Sequence, residues 1–446
     1  MSIDILGKLN QIENQKNILK EKFFLNYNPF PKSGIAIIDE PDDIVSSLSP
    51  VNDEVVNTIF EYIKDALYNN SATNGKNSDN KYISLIVRGE YGSGKTQTLM
   101  YIKYLLQNLK LDNIRPYVIY IDNPGQKLSE LIGGIISQIG IENFRKYLWN
   151  IFISYLDNNI DAKQEILKEA TGRPVENTLF SEHDTSSPLL IEKIQNYKEL
   201  IDSITIRRST TEKKSFVQLL KDHMIRCFIE ESESAVVASY FYDIVSETVG
   251  ISKSWDMLVT GNVKELDKRE VNILKAIVKI IQKQLGYTDF IILIDEFEEI
   301  TAERLKKSDV DNYLRNLRLL IDREKNWCSV FAMTGKALSI IESYSPPLAG
   351  RIKGSFVDLK PLNETELRKM ISNYLSMARS ESIDDDIYPF DESGIKEMLE
   401  VKDVQLKGSP RFILKLCYTL LQRAVDELPT DGRINQAFVK QYMKVY

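Results

Sequence analysis

One short segment carries the clearest chemistry in the chain. Gly89-Glu90-Tyr91-Gly92-Ser93-Gly94-Lys95-Thr96 matches the pattern G-x-x-x-x-G-K-[ST]. Glycines at these places let successive backbone N–H groups turn inward around a polyphosphate, and the positive end of a following helix adds to that field. Lys95 then meets the β- and γ-phosphates, the Thr96 hydroxyl meets Mg²⁺, and Gln97 completes the nucleotide-binding set. A loop of this kind works with an acidic pair at the end of an apolar strand lying beside the first strand. Phe290-Ile291-Ile292-Leu293-Ile294-Asp295-Glu296 supplies it. Asp295 is expected to hold the Mg²⁺ shell and Glu296 to polarise the attacking water as general base. The plainer alternative is a buried strand that ends in solvated carboxylates. No N-K-x-D element for reading guanine is found, so the expected cofactors are ATP and Mg²⁺.

The elements that must position these residues follow from hydrophobic period. Ile83 to Val87 is a short apolar run bounded by polar and glycine residues, which predicts a buried parallel strand. Helix-period residues run from Thr96 to Leu109, Tyr117 to Ile121 repeats the strand signature, and Leu128 to Ile139 the helical one. This alternation predicts an α/β layered sheet. The next strand, Phe290 to Ile294, comes only after a long stretch of helical period, including Phe216, Leu219, Leu220, Ile225 and Phe228, then Leu274, Ile277, Val278 and Ile281 ending at Gly286. Ser329 to Met333 and Ser355 to Leu359 read as two further strands. From Pro361 the pattern is purely helical, opened by a capping box of Asn363 with Glu366. Ahead of the sheet lie Asn28-Pro29-Phe30-Pro31, a helical pattern at Val55, Ile59, Ile63 and Leu67, and a polar run from Ser71 to Asn80.

With these motifs in place the sequence resembles the AAA+ ATPases, and within them the branch that includes origin-recognition/Cdc6-like proteins and transposition regulators. The resemblance covers Tyr82 to Ile139 and Phe290 to Ala424. It implies a P-loop NTPase parallel sheet flanked by helices, with a large helical insert and a C-terminal helical lid. The expected division is a leader at 1–80, an ATPase core at 81–360 holding the insert 141–285, and the lid at 361–446. The resemblance makes Thr334, after Val330-Phe331-Ala332-Met333, a sensor of the γ-phosphate, with a capping hydroxyl as the alternative. It makes Arg351, just before Ser355 to Leu359, a finger reaching the ATP of a neighbouring subunit, with a surface arginine as the alternative. Gly408-Ser409-Pro410-Arg411 resembles the second-sensor motif of the lid. Ser409 reads as an N-cap and Pro410 as the first helical residue, so Arg411 falls in the first turn, where a cation opposes the helix dipole unless an anion is near. Asn28-Pro29-Phe30-Pro31 together with Ser254-Trp255 and Gly261 also looks like ATPases of bacterial antiviral islands.

Composition bounds the partners. At 446 residues, two or three packed units are expected. Hydrophobic residues at 43% and charged residues at 27% fit a globular chain, and a net charge of −7 argues against a broadly basic nucleic-acid coat. Cys227, Cys328 and Cys417 lie too far apart for a zinc or disulfide framework, and the histidines, His183 and His223, have no ligand spacing. No stretch approaches a membrane span, so the expected location is cytoplasmic, with no membrane partner. The leading expectation is a DNA-associated regulator or recruiter that oligomerises with nucleotide, supported by the basic stretch Arg207-Arg208 with Lys213-Lys214. Such a stretch is more often a solvated helix face. The alternative is an ATP-gated signalling switch that binds a protein effector through the insert, without DNA.

Overall fold

The computed structural model describes residues 18–34, 49–71, 82–110, 113–171, 195–205, 209–246, 270–323, 327–404 and 406–443. His183, Arg207-Arg208, Ser254-Trp255, Gly261 and the polar run beyond Ser71 lie outside them. Five strands form one sheet: β1 Ile83–Gly89, β2 Pro116–Ile121, β3 Asp289–Ile294, β4 Cys328–Met333 and β5 Ser355–Leu359. Their spatial order is β2-β3-β4-β1-β5, and every pairing is parallel. One expectation is corrected here. The acidic strand β3 does not lie beside β1, because β4 pairs with both and stands between them. Strands buried on both faces are continuous apolar runs, and nothing in such a run encodes its neighbour.

Alternation along the strands divides the interior into two layers. Leu85, Val87, Tyr120, Ile291, Leu293, Val330 and Ala332 face helices Asp53–Ser71 and Lys95–Gln107. Ile86, Ile119, Ile121, Ile292, Ile294, Phe331 and Met333 face the opposite way, onto helices that include Leu128–Ile139, Glu270–Leu285 and Lys307–Arg323. The stretch between β2 and β3 contains helices and no strand among its described residues. Its helices Ile141–Asn158, Thr210–Ser232 and Ala235–Ser246 meet through Phe144, Phe228 and Phe241, with Phe241 edge-on to both other rings. This core is continuous with the second layer of the sheet.

A third core holds helices Glu364–Ala378, Glu392–Met398, Pro410–Glu427 and Gln436–Met443 together with Leu19, Phe23, Leu25 and Phe30. Residues read as one leader therefore serve two bodies. The segment 18–34 packs with the C-terminal helices, whereas Asp53–Ser71 packs on the sheet. Phe30 stacks on Tyr374 and meets Phe390 edge-on, with ring centres 5.6 and 5.8 Å away. The capping box of Asn363 with Glu366 forms as expected. Cys227, Cys328 and Cys417 are buried and none is in a disulfide. Among the described residues no helix is long and apolar enough to cross a membrane.

Candidate functional site

At the carboxyl end of β1 the chain turns through Gly92 and Gly94, with φ of 79° and 95°. Both angles lie in the left-handed region that glycine enters without a Cβ penalty. Gly94 is the N-cap of helix Lys95–Gln107. A Cβ on Gly89 would fall 2.3 Å from Ser93 Oγ, so the loop closes tightly on its own start. Open α/β sheets bind ligands at this end, and here a helix N-terminus faces the same space.

Lys95 Nζ is buried, donates to the Gly89 carbonyl at 3.1 Å and lies 3.5 Å from Glu298 Oε1. The Thr96 hydroxyl donates to Asp295 Oδ2 at 2.6 Å, and the Tyr120 phenol donates to the same oxygen at 3.0 Å. Asp295 Oδ1 accepts the Glu296 backbone N–H at 2.8 Å. Glu296 itself has φ 46°, a left-handed conformation that turns the chain sharply out of β3. For a residue other than glycine such a conformation costs on the order of 1 kcal/mol or more and is concentrated at functional sites. Burial first, then the charges of Asp295 and Glu298, hold the Glu296 carboxyl above its ordinary range. Burial likewise raises Glu298, against the opposing pull of Lys95.

The loop and the acidic pair form one wall of a cleft. The opposite wall comes from Ser49 to Asn52, Val55, Leu362, Met370, Tyr374, Arg411 and Leu414, mostly apolar side chains with Ser49, Asn52 and Arg411 among them. Hydrogen bonds hold the second wall together, and one joins it to the glycine loop. Asn52 Nδ2 donates to Glu366 Oε1 at 2.7 Å, and Lys369 Nζ donates to the Val51 carbonyl at 3.1 Å. The Arg411 backbone N–H donates to the Gly92 carbonyl at 3.2 Å.

Donor chemistry fits a hard divalent cation beside a phosphate chain. Thr96 and Asp295 converge as oxygen donors, and Mg²⁺ characteristically takes one or two protein oxygens while phosphate and water complete its shell. Ser93 Oγ in the loop and Gln97 Nε2 in the first turn of the helix are buried without a hydrogen-bond partner among the described residues, which leaves both available to a ligand. Glu90 is exposed, and Tyr91 is exposed with its ring 5.3 Å from Lys95 Nζ.

Of the more distant residues, only Arg411 reaches this cleft. Ser409 is the N-cap and Pro410 the first helical residue, as expected, but the Ser409 hydroxyl makes no cap bond. The absence of a side chain on Gly92 lets Arg411 approach, since a Cβ there would stand 3.0 Å from Arg411 Cβ. The pairing of Arg88 with Met333 sets Thr334 level with Gly89, yet its hydroxyl accepts the Ala337 N–H at 3.3 Å and caps helix Gly335–Tyr344. Thr334 does not line the cleft, so the capping alternative describes its geometry. Arg351 precedes β5 and lies at the amino ends of the strands, a β5 length of roughly 16 Å from the cleft end. There it pairs with Asp322 and donates to the Pro347 carbonyl at 2.9 Å. His223 bonds Glu165 within the helical stretch. The side chains that sequence reasoning missed are Tyr120, Glu298 and the apolar wall. Compared with known proteins, the chain matches no family model and no curated sequence.

Proposed function

We propose that the chain is an ATPase of the AAA+ type that binds Mg-ATP in this cleft and hydrolyses it to ADP and phosphate. The observation that carries the reading is the meeting of Thr96 and Asp295 at 2.6 Å, directly after a loop with two left-handed glycines. A glycine-rich turn without this chemistry has no need of an acidic partner two strands away. The interposed strand β4 and the helical wall bearing Arg411 support the AAA+ assignment.

In this reading the loop amides and Lys95 bind the β- and γ-phosphates, and the apolar wall of Val51, Val55, Met370, Tyr374 and Leu414 takes the purine. Thr96 and Asp295 would hold Mg²⁺, which neutralises charge on the phosphate oxygens. Glu296 takes a proton from the attacking water as that oxygen joins the γ-phosphorus and the bond to the bridging oxygen breaks. Arg411 senses the γ-phosphate in its own subunit. Arg351 serves a neighbour's site, which requires a homo-oligomer.

Equilibrium binding and phosphate release, measured on the same preparations, test the assignment. Lys95→Ala should abolish ATP binding, and Glu296→Gln should bind ATP yet stop turnover. Parental turnover by both variants would remove the assignment.

For what the cycle drives, the resemblance leads to a DNA-associated regulator or recruiter, in the setting of phage defence. Hydrolysis stimulated by single- or double-stranded DNA is the expected result. Indifference to DNA, with stable effector binding through residues 141–285, would instead give the ATP-gated switch.

A further inference from the structure

Glu298 is a buried acid that the proposed chemistry does not use. Its Oε1 lies 3.5 Å from Lys95 Nζ, and the two side chains are 10% and 9% exposed. Its other oxygen, Oε2, is buried with no hydrogen-bond partner among the described residues. The carboxylate stands on a short 3₁₀ turn, Phe297–Thr301, whose Phe297 and Ile300 are buried. Phe297 packs on Phe331 with ring centres 4.7 Å apart. The backbone beneath Glu298 is thus fixed, and its acid group lines the same cleft as Lys95, Thr96, Asp295 and Glu296.

We infer that Glu298 is an internal anion that occupies Lys95 where a nucleotide phosphate would, so that nucleotide binds by exchanging one anion for another. The inference rests on the phosphate-binding reading of the cleft and adds to it a determinant of affinity. Charge decides its direction. Asp295, Glu296, Glu298, Asp358 and Glu366 line the cleft against Lys95, Lys360 and Arg411, so acids outnumber cations there and a polyphosphate arriving without a divalent cation meets net like charge. Removing the Glu298 charge frees Lys95 and removes one repulsion. If Glu298 instead served only to aim Lys95, the same change would misplace the lysine and weaken binding. The two roles predict opposite signs.

Full-length parent, Glu298→Gln and Lys95→Ala are titrated with ADP and with ATP, each with Mg²⁺ and with a chelator of divalent cations. Glu298→Gln should bind Mg-free nucleotide at least about tenfold more tightly than the parent, with a smaller gain in Mg²⁺ because the cation already offsets the acid. Glu298→Asp, which keeps the charge but withdraws it by one methylene, should tighten Mg-free binding by a lesser factor and serves should the glutamine variant fail to fold. Unchanged or weaker Mg-free binding in a folded variant overturns the inference while leaving the phosphate site intact. A parent that binds no nucleotide, with Lys95→Ala making no difference, overturns the phosphate-binding reading and this inference with it.

Discussion

The Tyr120 phenol donates to the same Asp295 oxygen as Thr96, from a strand adjacent to the one that carries the acid. Partners of this kind orient a metal-binding carboxylate, and their loss typically costs about tenfold or more in metal affinity or activity. Tyr120→Phe should therefore raise the Mg²⁺ concentration for half-maximal ATP binding by about tenfold, with Mg-free nucleotide affinity unchanged. Titrating Mg²⁺ at fixed ATP checks this, and a variant indistinguishable from the parent would make the phenol a packing group. The difference between what could and could not be read from the sequence is plain at this scale. Gly89 to Thr96 and Asp295-Glu296 are contiguous, so their chemistry is written in order along the chain. Tyr120 arrives through the register that pairs it with Leu293, a relation no local pattern expresses. Glu298 is one of several acids after β3, and only the 3₁₀ turn selects it to face Lys95 while Glu299 stays more exposed.

Elements were legible in extent and illegible in partnership. Period and bounding residues located β5 at Ser355–Leu359 and the helix Leu128–Ile139 at their observed limits, because burial on one or two faces leaves its mark within each segment. Neighbours leave no such mark. Asn28-Pro29-Phe30-Pro31 precedes the sheet in sequence but belongs to the C-terminal helices in space, with Phe30 fully buried between Tyr374 and Phe390. Asn28 Nδ2 also donates to the Tyr418 carbonyl at 3.2 Å, and Lys22 Nζ to the Val425 and Leu428 carbonyls at 2.9 Å each. The segment 18–34 and the C-terminal helices should consequently lose stability together. Phe30→Ala is expected to cost about 3–5 kcal/mol locally, as large aromatic truncations in cores do. Hydrogen exchange should then accelerate in helices Glu364–Ala378 and Pro410–Glu427 while helix Thr210–Ser232 keeps its protection, since they lie in separate cores. Equal loss across the whole chain would mean that the cores unfold as one unit.

At the scale of the whole molecule, the positions of Arg411 and Arg351 divide the work of the proposed ATPase between one subunit and two. Arg411 lies against the glycine loop of its own chain, whereas Arg351 sits at the opposite end of the sheet, held by Asp322. An arginine so placed contributes to hydrolysis only where a neighbour's cleft docks against it, and leaving Asp322 is then part of assembly. Specific activity should rise with protein concentration, and ATP should promote the oligomer, because a ligand bound at an interface stabilises the associated state by mass action. Arg351→Ala should lower the turnover rate by orders of magnitude without changing ATP affinity, as expected of a cation that acts on transition-state charge. Arg411→Ala should be deficient even in mixed assemblies that receive an intact Arg351 from a partner. The decisive experiment mixes two inactive proteins. Lys95→Ala subunits retain the finger and lack the binding lysine, and Arg351→Ala subunits have the reverse defect, so each mixed interface of the right polarity joins an intact cleft to an intact finger. Activity should return on mixing and be greatest near equal proportions. An enzyme fully active at high dilution and indifferent to Arg351→Ala would place the arginine outside the chemistry, as a surface partner of Asp322, and would make hydrolysis the property of a single chain.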